Sequence, residues 1–466
     1  MEKIKNIHLI GIGGIGMSGI AEIMNNLKYN ITGSDQKTNS NVRRLKKNGI
    51  KIFIGHKASN ISDSSLIVYS SAIPPDNCEL LAAKDLKIPI IGRSEMLREL
   101  MRMKKTITVA GSHGKTTAVS IIAEIFDYAK HDPTVINGGI INSYGSNTKL
   151  GESDLMLVET DESDGSFSFL PSFAGVITSI DNEHIDYYGS KKKLLNSFLS
   201  YCKNISPFGF LAVSEKDINI KKVIKNINSL NIYKYGFSDD CDFKGEIIRE
   251  DKNGILFNVL IKSSGLKEVQ IKNILFPMLG GHNIENALAA ITIAYNFNIK
   301  KEDIKKALQS FKGVRRRLSK IYENNNIIFY DDYAHHPTEI RETIRALKLD
   351  GRRLISVIQP HRYTRLRDTY NQFKNSFSDS DYVFILPVYE AGEDKIDGIN
   401  SEVLVNDIVM NGHPNAIYLD DFSKVKNQIK KIMKRNDTII FMGAGSISSY
   451  CNIFAEEMTL RDQING

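Results

Sequence analysis

Residues 106–117 decide the fold of this chain, and they read TITVAGSHGKTT. The β-branched run at 106–110 predicts a strand, and the segment after it predicts a glycine-rich loop that opens a helix. In such a loop the backbone amides favour phosphate oxygens, Lys115 supplies a positive charge for the β- and γ-phosphates, and Thr116 can bind Mg²⁺. We therefore expect a nucleoside triphosphate to bind here.

This glycine-rich loop is shorter than the usual phosphate-binding pattern. The full pattern has a glycine five residues before Gly114, and this chain has Val109 at that position. A glycine-rich helix cap without a ligand is the alternative interpretation. Under the triphosphate interpretation, the residues that contact ATP are Gly111, Ser112, His113, Gly114, Lys115, Thr116 and Thr117.

The overall composition is that of a globular protein with about three domains. Of the 466 residues, 42% are hydrophobic and 25% are charged, which excludes the disordered, collagen-like and coiled-coil classes. The 61 basic and 54 acidic residues leave a net charge of +7 that is spread along the chain. This balance does not indicate a nucleic-acid partner, and it suits an anionic small substrate equally well.

Cysteine usage favours a reducing compartment, and the hydropathy pattern predicts no membrane-spanning segment. The four cysteines lie far apart and form no CxxC pair, so they predict neither a zinc site nor a disulfide framework. No apolar run reaches the roughly 20 residues needed to span a bilayer, and glycines interrupt the apolar stretch near the N-terminus. We expect a cytoplasmic protein that does not insert into membranes.

Short β-branched runs alternate with helical patterns from end to end, which predicts an α/β fold with parallel sheets covered by helices. We expect three domains: a Rossmann-like N-terminal domain at 1–104, a P-loop-type central ATPase domain at 105–313, and a Rossmann-like C-terminal domain at 314–466. Within the central domain, the polar stretch at 215–275 predicts a strand-rich excursion.

A second glycine motif lies near the N-terminus, where residues 11–16 read GIGGIG after a predicted strand. Its glycines let the backbone approach a diphosphate at a helix N-terminus, and an acidic residue about 20 positions later can accept from a ribose hydroxyl. The residues of this pattern are Gly11, Gly13, Gly14, Gly16 and Asp35. The pattern recognises a diphosphate joined to a nucleoside, so NAD and a UDP-sugar both remain open, as does a tight turn without a ligand.

Acidic residues follow two predicted strands of the central domain. Glu159 begins the acidic run 159–164, and the next strand leads to residues 181–184, which read DNEH. Carboxylates at the carboxyl ends of parallel strands face the crevice where ligands bind, and a hard cation that bridges phosphate oxygens needs them. His184 can serve as a supplementary ligand. Each acidic residue alone is typical of a solvated turn, but beside the phosphate-binding loop the set predicts a metal site.

Four further clusters do not decide a function by themselves. Residues 282–286 open a predicted helix, where asparagine commonly caps without a ligand. Residues 331–337 contain a histidine pair that is more typical of hydrogen-bonded structure than of a metal site. Residues 359–365 place two arginines three positions apart, which suits either a carboxylate or an ordinary surface loop. The glycines at 443–445 predict only a turn.

Taken in chain order, these motifs resemble those of the Mur ligase family of peptidoglycan synthesis. The resemblance spans nearly the whole chain, and the ordered series is far more specific than any one motif. It also accounts for the short phosphate-binding loop, because the family has this reduced form, with threonine where Ser112 stands. The segments that carry the resemblance are 11–19, 70–73, 111–117, 159–164, His184, 282–286, 316–317, 331–339 and 359–365.

The resemblance implies a three-domain ligase that binds UDP on the first domain and ATP on the second, with the third domain closing over both. ATP would phosphorylate the carboxylate of UDP-N-acetylmuramate, and the amine of L-alanine would attack the resulting acyl phosphate. A carboxylate is a poor electrophile until its oxygen becomes a good leaving group. Transfer between two anions also requires charge neutralisation and exclusion of water. The implied ligands are these two small molecules with ATP and Mg²⁺, and the oligomeric state stays open.

The resemblance also implies roles for matching residues at the ATP end. These residues are Lys115, Thr116, Glu159, His184, Asn283, Asn286, Arg317 and Asp332. Lys115 would contact the β- and γ-phosphates, Thr116 and Glu159 would bind one Mg²⁺, and His184 with Glu159 would bind a second. Asn283 and Asn286 match asparagines on the ATP side, and Asn286 would read the adenine. Arg317 would contact phosphate, and Asp332 would contact the ribose.

A second set of matching residues is implied for the other substrates. The set is Gly11, Gly13, Gly14, Gly16, Asp35, Ser70, Ser71, Tyr333, His335, His361, Arg362 and Arg365. The glycine loop would hold the UDP diphosphate, with Ser70 and Ser71 at a matching edge and Asp35 near the uridine. The residues from Tyr333 onward match positions around the muramoyl and alanine end, where the two arginines could hold the amino-acid carboxylate.

Two competing functions remain open. An NAD-dependent oxidoreductase would use the first glycine motif, but it leaves Lys115, Glu159 and His184 without a role. The sister ligase that recycles murein tripeptide shares the fold and the chemistry. Some family members use a carbamylated lysine near the second metal, and because no lysine stands at the equivalent spacing after His184, we predict none here.

Overall fold

A computed structural model describes residues 5–251, 253–262, 268–349 and 351–465. The chain forms two compact units. The first unit contains the residues up to Gly245 together with Val259–Ile271 and Glu285–Phe311, and the second contains Glu246–Asn258, Lys272–Ile284 and the residues from Lys312 onward. The domain boundaries expected near 104 and 313 remain predictions. Within the described residues, no helix is both long enough and apolar enough to cross a membrane.

The first unit begins with a five-stranded parallel sheet in the order β3-β2-β1-β4-β5. Its strands are β1 (Asn6–Ile10), β2 (Asn30–Asp35), β3 (Lys51–Ile54), β4 (Leu66–Tyr69) and β5 (Ile90–Gly92). Its helices are α1 (Ile15–Asn26), α2 (Ser40–Lys47), α3 (Cys78–Asp85) and α4 (Arg93–Arg102). The central strand β1 buries Leu9 and Ile10 completely, as expected for a strand that is covered on both faces.

A ten-stranded sheet follows, in the order β15-β14-β13-β12-β11-β10-β6-β9-β7-β8. Its strands are β6 (Lys105–Ala110), β7 (Thr134–Ile141), β8 (Ser146–Lys149), β9 (Leu155–Glu159), β10 (Ser172–Ile177), β11 (Ile205–Ser214), β12 (Asn231–Gly236), β13 (Phe243–Asp251), β14 (Gly254–Ile261) and β15 (Val269–Phe276). The helices are α5 (Lys115–Tyr128), α6 (Ile185–Tyr188), α7 (Lys191–Lys203), α8 (Ile218–Ile224), α9 (Gly281–Asn296) and α10 (Lys301–Ser310). The strand predicted at 106–110 is therefore present as β6, and the helix after it begins at Lys115.

The second unit contains a six-stranded sheet in the order β16-β17-β21-β18-β19-β20. The strands are β16 (Ser319–Asn324), β17 (Ile327–Asp332), β18 (Arg353–Ile358), β19 (Tyr382–Ile385), β20 (Ala416–Tyr418) and β21 (Asp437–Met442). The helices are α11 (Pro337–Lys348), α12 (Tyr363–Phe373), α13 (Ser401–Met410), α14 (Phe422–Ile432) and α15 (Ile447–Asn465). All pairs are parallel except β16 with β17. The predicted α/β class with parallel, helix-covered sheets is confirmed.

A buried polar network joins the first sheet to α3. The carboxylate of Glu79, which is completely buried, lies within hydrogen-bond distance of Ser34 Oγ (2.6 Å), His56 Nδ1 (2.9 Å) and Asn60 Nδ2 (2.6 Å). His8 Nε2 lies 3.7 Å from Glu79 Oε1. Burial by itself would raise the pKa of Glu79, but the hydrogen bonds from these side chains outweigh it and lower the pKa to about 2.

We predict that Glu79→Gln lowers the free energy of unfolding at pH 7 by about 3 kcal/mol, because the shift of the pKa from 4.5 to about 2 is stabilisation of the folded state. The pKa is lowered on folding, so this stabilisation is complete above pH 4.5 and is lost as the pH falls toward 2. Urea unfolding of both proteins between pH 7 and pH 3 measures the difference, which should narrow at acid pH.

The matched control is Asp85→Asn, which changes an exposed carboxylate on the same helix. It should alter the free energy of unfolding by no more than about 0.5 kcal/mol. If Glu79→Gln were as stable as this control at pH 7, the network would not contribute to stability.

Candidate active site

Three neighbouring parallel strands bring the predicted nucleotide residues to one edge of the ten-stranded sheet. Strand β6 lies between β10 and β9, with Val109 opposite Glu159 and Ala110 opposite Ile177. The loops that follow these strands therefore leave the sheet side by side, at their carboxyl ends. This pairing explains why residues that are 50 positions apart (Val109 and Glu159) and 67 positions apart (Ala110 and Ile177) lie side by side.

The glycine-rich loop is held by hydrogen bonds to the loop after β10. The backbone amide of Ser112 donates to Ser179 O (2.9 Å), and the amide of His113 donates to Ser179 Oγ (3.0 Å). In return, the amide of Asp181 donates to Ser112 Oγ (2.8 Å). The hydroxyl that this chain retains at position 112 thus fastens the two loops together.

Gly114 is a position that the loop cannot fill with another residue. Its φ is +81°, a left-handed conformation that favours glycine. A Cβ added there would lie 2.3 Å from Oδ1 of Asn286, which belongs to α9. The structure therefore places the predicted adenine reader directly against the phosphate-binding loop. Asn283, three residues earlier on the same helix, donates to Leu279 O (2.8 Å).

Thr116 and Glu159 are in contact, as expected for residues predicted to share a metal ion. Thr116 Oγ1 donates to Glu159 Oε1 (3.0 Å), and the amide of Gly138 donates to Glu159 Oε2 (2.6 Å). Thr116 is buried, and Thr117 beside it is buried in the first turn of α5. The carboxylate of Glu159 is thus fixed at the carboxyl end of β9, at hydrogen-bond distance from the Thr116 hydroxyl.

Lys115 makes its closest ionic contact with Glu162, a residue that sequence reasoning did not assign. Its Nζ lies 2.8 Å from both carboxylate oxygens; Glu162 is buried and Lys115 is half-buried. Burial opposes the charge of the lysine, but Glu162 and Glu159 outweigh it and raise its pKa. Burial raises the pKa of Glu162 to about 7 with help from the nearby Glu183, against the opposite effect of Lys115. Only its place in the acidic run 159–164 marked Glu162 in the sequence.

Glu162 also belongs to a group that can hold a cation. One ligand atom from each of Glu162, Glu183 and His184 can lie within 4.8 Å of the others. Two carboxylates and an imidazole suit a divalent cation, so these residues fit the metal that the motifs imply. His184 stands at φ +56° at the start of α6, which turns its side chain toward the acidic loop. In this group His184 lies with Glu183 and Glu162. The predicted binding of one ion by Glu159 and His184 together remains a prediction.

The first glycine loop lies at the carboxyl edge of the five-stranded sheet. The amide of Gly13 donates to Asp35 Oδ2 (2.8 Å), so Asp35 stands beside the loop, as predicted. Asn39 and Asn41 both donate from Nδ2 to the carbonyl of Gly13 (3.1 and 2.9 Å), and sequence reasoning missed both. Ser70 follows β4 at the same edge, and its backbone amide donates a hydrogen bond to Ile10 O (3.1 Å). Ser71, next to it, is exposed.

Arg93 is another residue of this region that the motifs did not reveal. A Cβ added at Gly16 would lie 2.8 Å from its Nη1, so the guanidinium packs on the start of α1. Its Nη2 lies 3.5 Å from Asp164 Oδ2, in the acidic run that follows β9. Arg93 therefore contacts both predicted ligand loops of the first unit, and nothing in the sequence pattern around it pointed there.

In the second unit, Asp332 fixes the loop between 316 and 334. Its Oδ2 accepts from the amide of Leu318 (2.6 Å) and its Oδ1 accepts from the amide of Ala334 (2.7 Å). Burial raises the pKa of this carboxyl to about 6, against the lowering effect of Arg317. Both carboxylate oxygens thus accept hydrogen bonds from backbone amides. The predicted contact with the ribose would use their remaining lone pairs.

Two arginines lie against Tyr333 in this unit. The guanidinium carbons of Arg316 and Arg317 lie 4.8 and 5.2 Å from the centre of the Tyr333 ring. Arg316 also donates to Gly443 O (2.7 Å), and Arg317 lies 3.9 Å from a carboxylate oxygen of Glu339. The turn expected at 443–445 therefore supports Arg316 as well as leading into α15.

The residues predicted for the amino-acid end form one cluster in the second unit. The His361 ring lies 5.9 Å from the His335 ring, and Arg365 Nη1 lies 3.2 Å from His361 Nδ1. Burial, His335, Arg365 and Arg362 together lower the pKa of His361 to about 3, so its imidazole is neutral. Because Nδ1 faces the Arg365 donor, the proton of this neutral ring lies on Nε2. The cluster thus places an uncharged hydrogen-bond donor, His361 Nε2, beside the positive charges of Arg362 and Arg365.

Three models of the Mur ligase family match the chain. The catalytic domain matches residues 6–105, the middle domain matches 109–294, and the glutamate ligase domain matches 316–445. The UDP-N-acetylmuramate–L-alanine ligase of Brucella anthropi is 42% identical to the chain over 453 residues, which is 97% of each protein.

Two solved structures are similar over almost the whole length. UDP-N-acetylmuramate-alanine ligase from Thermotoga maritima superposes with a TM-score of 0.79 at 26% identity and covers 98% of this chain and 99% of its own. A murein peptide ligase from Psychrobacter arcticus gives a TM-score of 0.70 at 22% identity, with 97% and 98% covered. At that identity the second likeness is one of fold alone.

We predict that Gly114→Ala weakens ATP binding by about 10-fold or more, because the left-handed backbone costs about 1–2 kcal/mol and the new methyl group displaces Asn286. Titration calorimetry with ATP and Mg²⁺ measures the affinity. The control is Gly145→Ala, at φ +63° with nothing within 4 Å of the added Cβ. It should lower stability and leave ATP affinity unchanged. Equal affinities for the two variants would remove Asn286 from the nucleotide site.

Proposed function

Because the chain belongs to the Mur ligase family, we propose that it is an ATP-dependent ligase that joins L-alanine to the carboxylate of UDP-N-acetylmuramate, forming ADP and phosphate in peptidoglycan precursor synthesis. The observation that carries the proposal is the sheet edge where Lys115 and Thr116, after β6, meet Glu159 and Glu162, at the end of the adjacent strand β9. Identity of 42% over 97% of the chain to a ligase that is named for L-alanine supports this choice of acceptor.

The first chemical step would transfer the γ-phosphoryl group of ATP to the muramoyl carboxylate. The amides of the 111–114 loop and the N-terminus of α5 would hold the phosphate oxygens, and Lys115 would neutralise their charge. Asn286 would contact the adenine, and its position against Gly114 supports this. The resulting acyl phosphate gives the carboxyl carbon a leaving group, which the amine of the acceptor displaces.

Magnesium is the cofactor that this donor set would hold. Thr116 and Glu159 would bind the ion at the β- and γ-phosphates, and His184 would bind a second ion with Glu162 and Glu183 available beside it. A bound Mg²⁺ neutralises charge on the transferring phosphoryl group and on the carboxylate that receives it. Lys115 lies 2.8 Å from Glu162, so this carboxylate already has one cationic partner at the site.

The UDP end of the substrate would lie on the first glycine loop. The amides at the start of α1 favour a diphosphate, and Arg93 beside Gly16 adds a positive charge there. Asp35 stands next to Gly13, where a ribose hydroxyl can reach it. Because ATP and the UDP-sugar are both nucleotides of the cell interior, we propose a cytoplasmic location.

The amino-acid end would lie on the cationic cluster of the second unit. Arg362 and Arg365 would bind the carboxylate of L-alanine, since a guanidinium matches carboxylate geometry. The neutral His361 offers an Nε2 donor without adding another charge.

One assay tests the proposal against its competitors. The chain is incubated with ATP, Mg²⁺ and UDP-N-acetylmuramate, and phosphate release is measured with L-alanine, L-serine, glycine or murein tripeptide as acceptor. We expect release with L-alanine, and ADP rather than AMP as the product. Preference for tripeptide would identify the recycling ligase instead. Tight binding of NADH without binding of the UDP-sugar would favour the oxidoreductase.

We predict that Lys115→Ala lowers kcat by about 10² to 10³-fold, because the γ-phosphate loses its positioning charge. The single variant leaves Glu162 buried without its partner, which by itself costs about 3–5 kcal/mol of stability. The double variant Lys115→Ala with Glu162→Gln removes that penalty and should be folded but as inactive as the single one. Normal turnover by the double variant would contradict the role of Lys115.

We predict that Arg365→Ala raises the KM for L-alanine by about 10 to 100-fold with a smaller effect on kcat, because a charged hydrogen bond to the carboxylate is lost. Initial rates at saturating ATP and UDP-N-acetylmuramate measure both constants. The control is Arg367→Ala on the same helix, an arginine that pairs with its neighbour Asp368 (2.7 Å). An equal rise in KM in both variants would place the acceptor carboxylate elsewhere.

A further inference from the structure

A cavity of about 530 Å³ lies at the carboxyl edge of the six-stranded sheet, beside the cluster assigned to the amino acid. Its lining comes from the loops after β18, β19 and β20 and from α14 and α15. Among the lining residues are Tyr389, Glu390, Asp420 and Asp421. None of the roles proposed above uses this space.

Tyr389 forms the wall between this cavity and the acceptor cluster. Its ring is stacked on that of His361, with centres 5.4 Å apart and planes 10° from parallel. Tyr389 lines the cavity, whereas His361, Arg362 and Arg365 are not among the described residues that do. Tyr389 therefore borders both the cavity and His361.

The wall is held in place by its backbone and its neighbours. The amide of Tyr389 donates to Pro360 O (2.8 Å), and the amide of Arg362 donates to Tyr389 O (2.9 Å). A Cβ added at Gly445 would lie 2.6 Å from Cγ of Tyr389, so the ring packs directly on the backbone there.

The segment that follows Tyr389 is anchored as well. Glu393 accepts from both the amide and the hydroxyl of Thr364 (3.0 and 2.6 Å), at the start of α12. Glu393 Oε1 also lies 3.8 Å from Nε of Arg362. The arginine loop and the Tyr389 segment are thus bound to each other at Tyr389 itself and at Glu393. These contacts keep the Tyr389 ring against His361.

We propose that Tyr389 limits the acceptor to an amino acid with a short side chain, and that the cavity behind it admits a longer side chain once the ring is removed. This inference rests on the proposed function, in which Arg362 and Arg365 hold the acceptor carboxylate. An amino acid bound there lies beside His361, and a long side chain directed at the cavity must displace the stacked ring. A methyl group does not need that space.

The cavity also sets which long side chains it would take. Three carboxylates line it, on Glu390, Asp420 and Asp421, and the described lining contains no lysine or arginine. Asp420 is partly neutralised by Lys424 (2.7 Å), and Asp421 accepts from the amide of Ser423 (2.6 Å). The opened cavity therefore favours a neutral or cationic side chain over an anionic one of similar length.

The test compares Tyr389→Ala with Tyr389→Phe in acceptor-dependent phosphate release from ATP and UDP-N-acetylmuramate. The acceptors are L-alanine, L-norleucine, L-lysine and L-glutamate. In Tyr389→Ala, the ratio of kcat/KM for norleucine to that for alanine should rise by about 10-fold or more. Lysine should gain in the same way, and glutamate should gain least. Tyr389→Phe keeps the stacked ring and should keep the wild-type ratios.

Unchanged ratios in a Tyr389→Ala protein that still ligates alanine would overturn the inference while leaving the proposed function intact. Equal gains for Tyr389→Phe would also overturn it, because that variant keeps the wall. Thermal unfolding checks that the variants are folded, and Tyr389→Leu takes the same test if the alanine variant is not. A wild-type chain that uses no amino acid at all would instead contradict the proposed function.

Discussion

The parallel pairing of β6 with β9 and β10 is the constraint on which the nucleotide site depends. Parallel strands end at the same edge of a sheet, so the register that sets Val109 opposite Glu159 and Ala110 opposite Ile177 also sets three loops side by side. The contact between Thr116 and Glu159 and the ion pair between Lys115 and Glu162 both follow from that register. Glu159 is the last residue of β9, so a shift of one residue in its pairing with β6 would turn its side chain to the other face of the sheet.

Charge at this edge is balanced within the protein. Lys115 is half-buried, and an ammonium that has lost most of its hydration requires a partner. Glu162 supplies that partner, while Glu183 and His184 complete a donor set around the same carboxylate. Phosphates and cations brought by a nucleotide would enter a network that already alternates positive and negative groups. Such a preorganised arrangement requires little rearrangement when the substrate charge arrives.

The cluster around His361 in the second unit is mainly cationic, whereas the nucleotide edge pairs positive groups with negative ones. Burial lowers the pKa of His361 to about 3, and His335, Arg365, Arg362 and Arg316 add to that effect. The three arginines put positive charge where an amino-acid carboxylate is proposed to bind. The stacking of Tyr389 on His361 adds a steric boundary to this electrostatic one. In this proposal the arginine loop after β18 attracts the carboxylate of the amino acid. The adjacent Tyr389 segment after β19 excludes a large side chain. Together they would give selectivity for a small amino acid.

The sequence by itself determined the α/β class, the phosphate-binding loop before α5 and the glycine loop before α1. These features depend on local patterns of glycine, β-branched residues and charge, and the structure contains them at the expected positions. The contacts made by Glu162, Glu183, Arg93 and Tyr389 were decided only by the tertiary structure. The acidic runs contain Glu162 and Glu183 without singling them out, and no motif marks Arg93 or Tyr389, because their partners are distant in sequence: Arg93 meets Asp164 and Tyr389 meets Gly445 through sheet order and loop packing. Local patterns specify strands and turns, but only strand order and register determine which loops become neighbours.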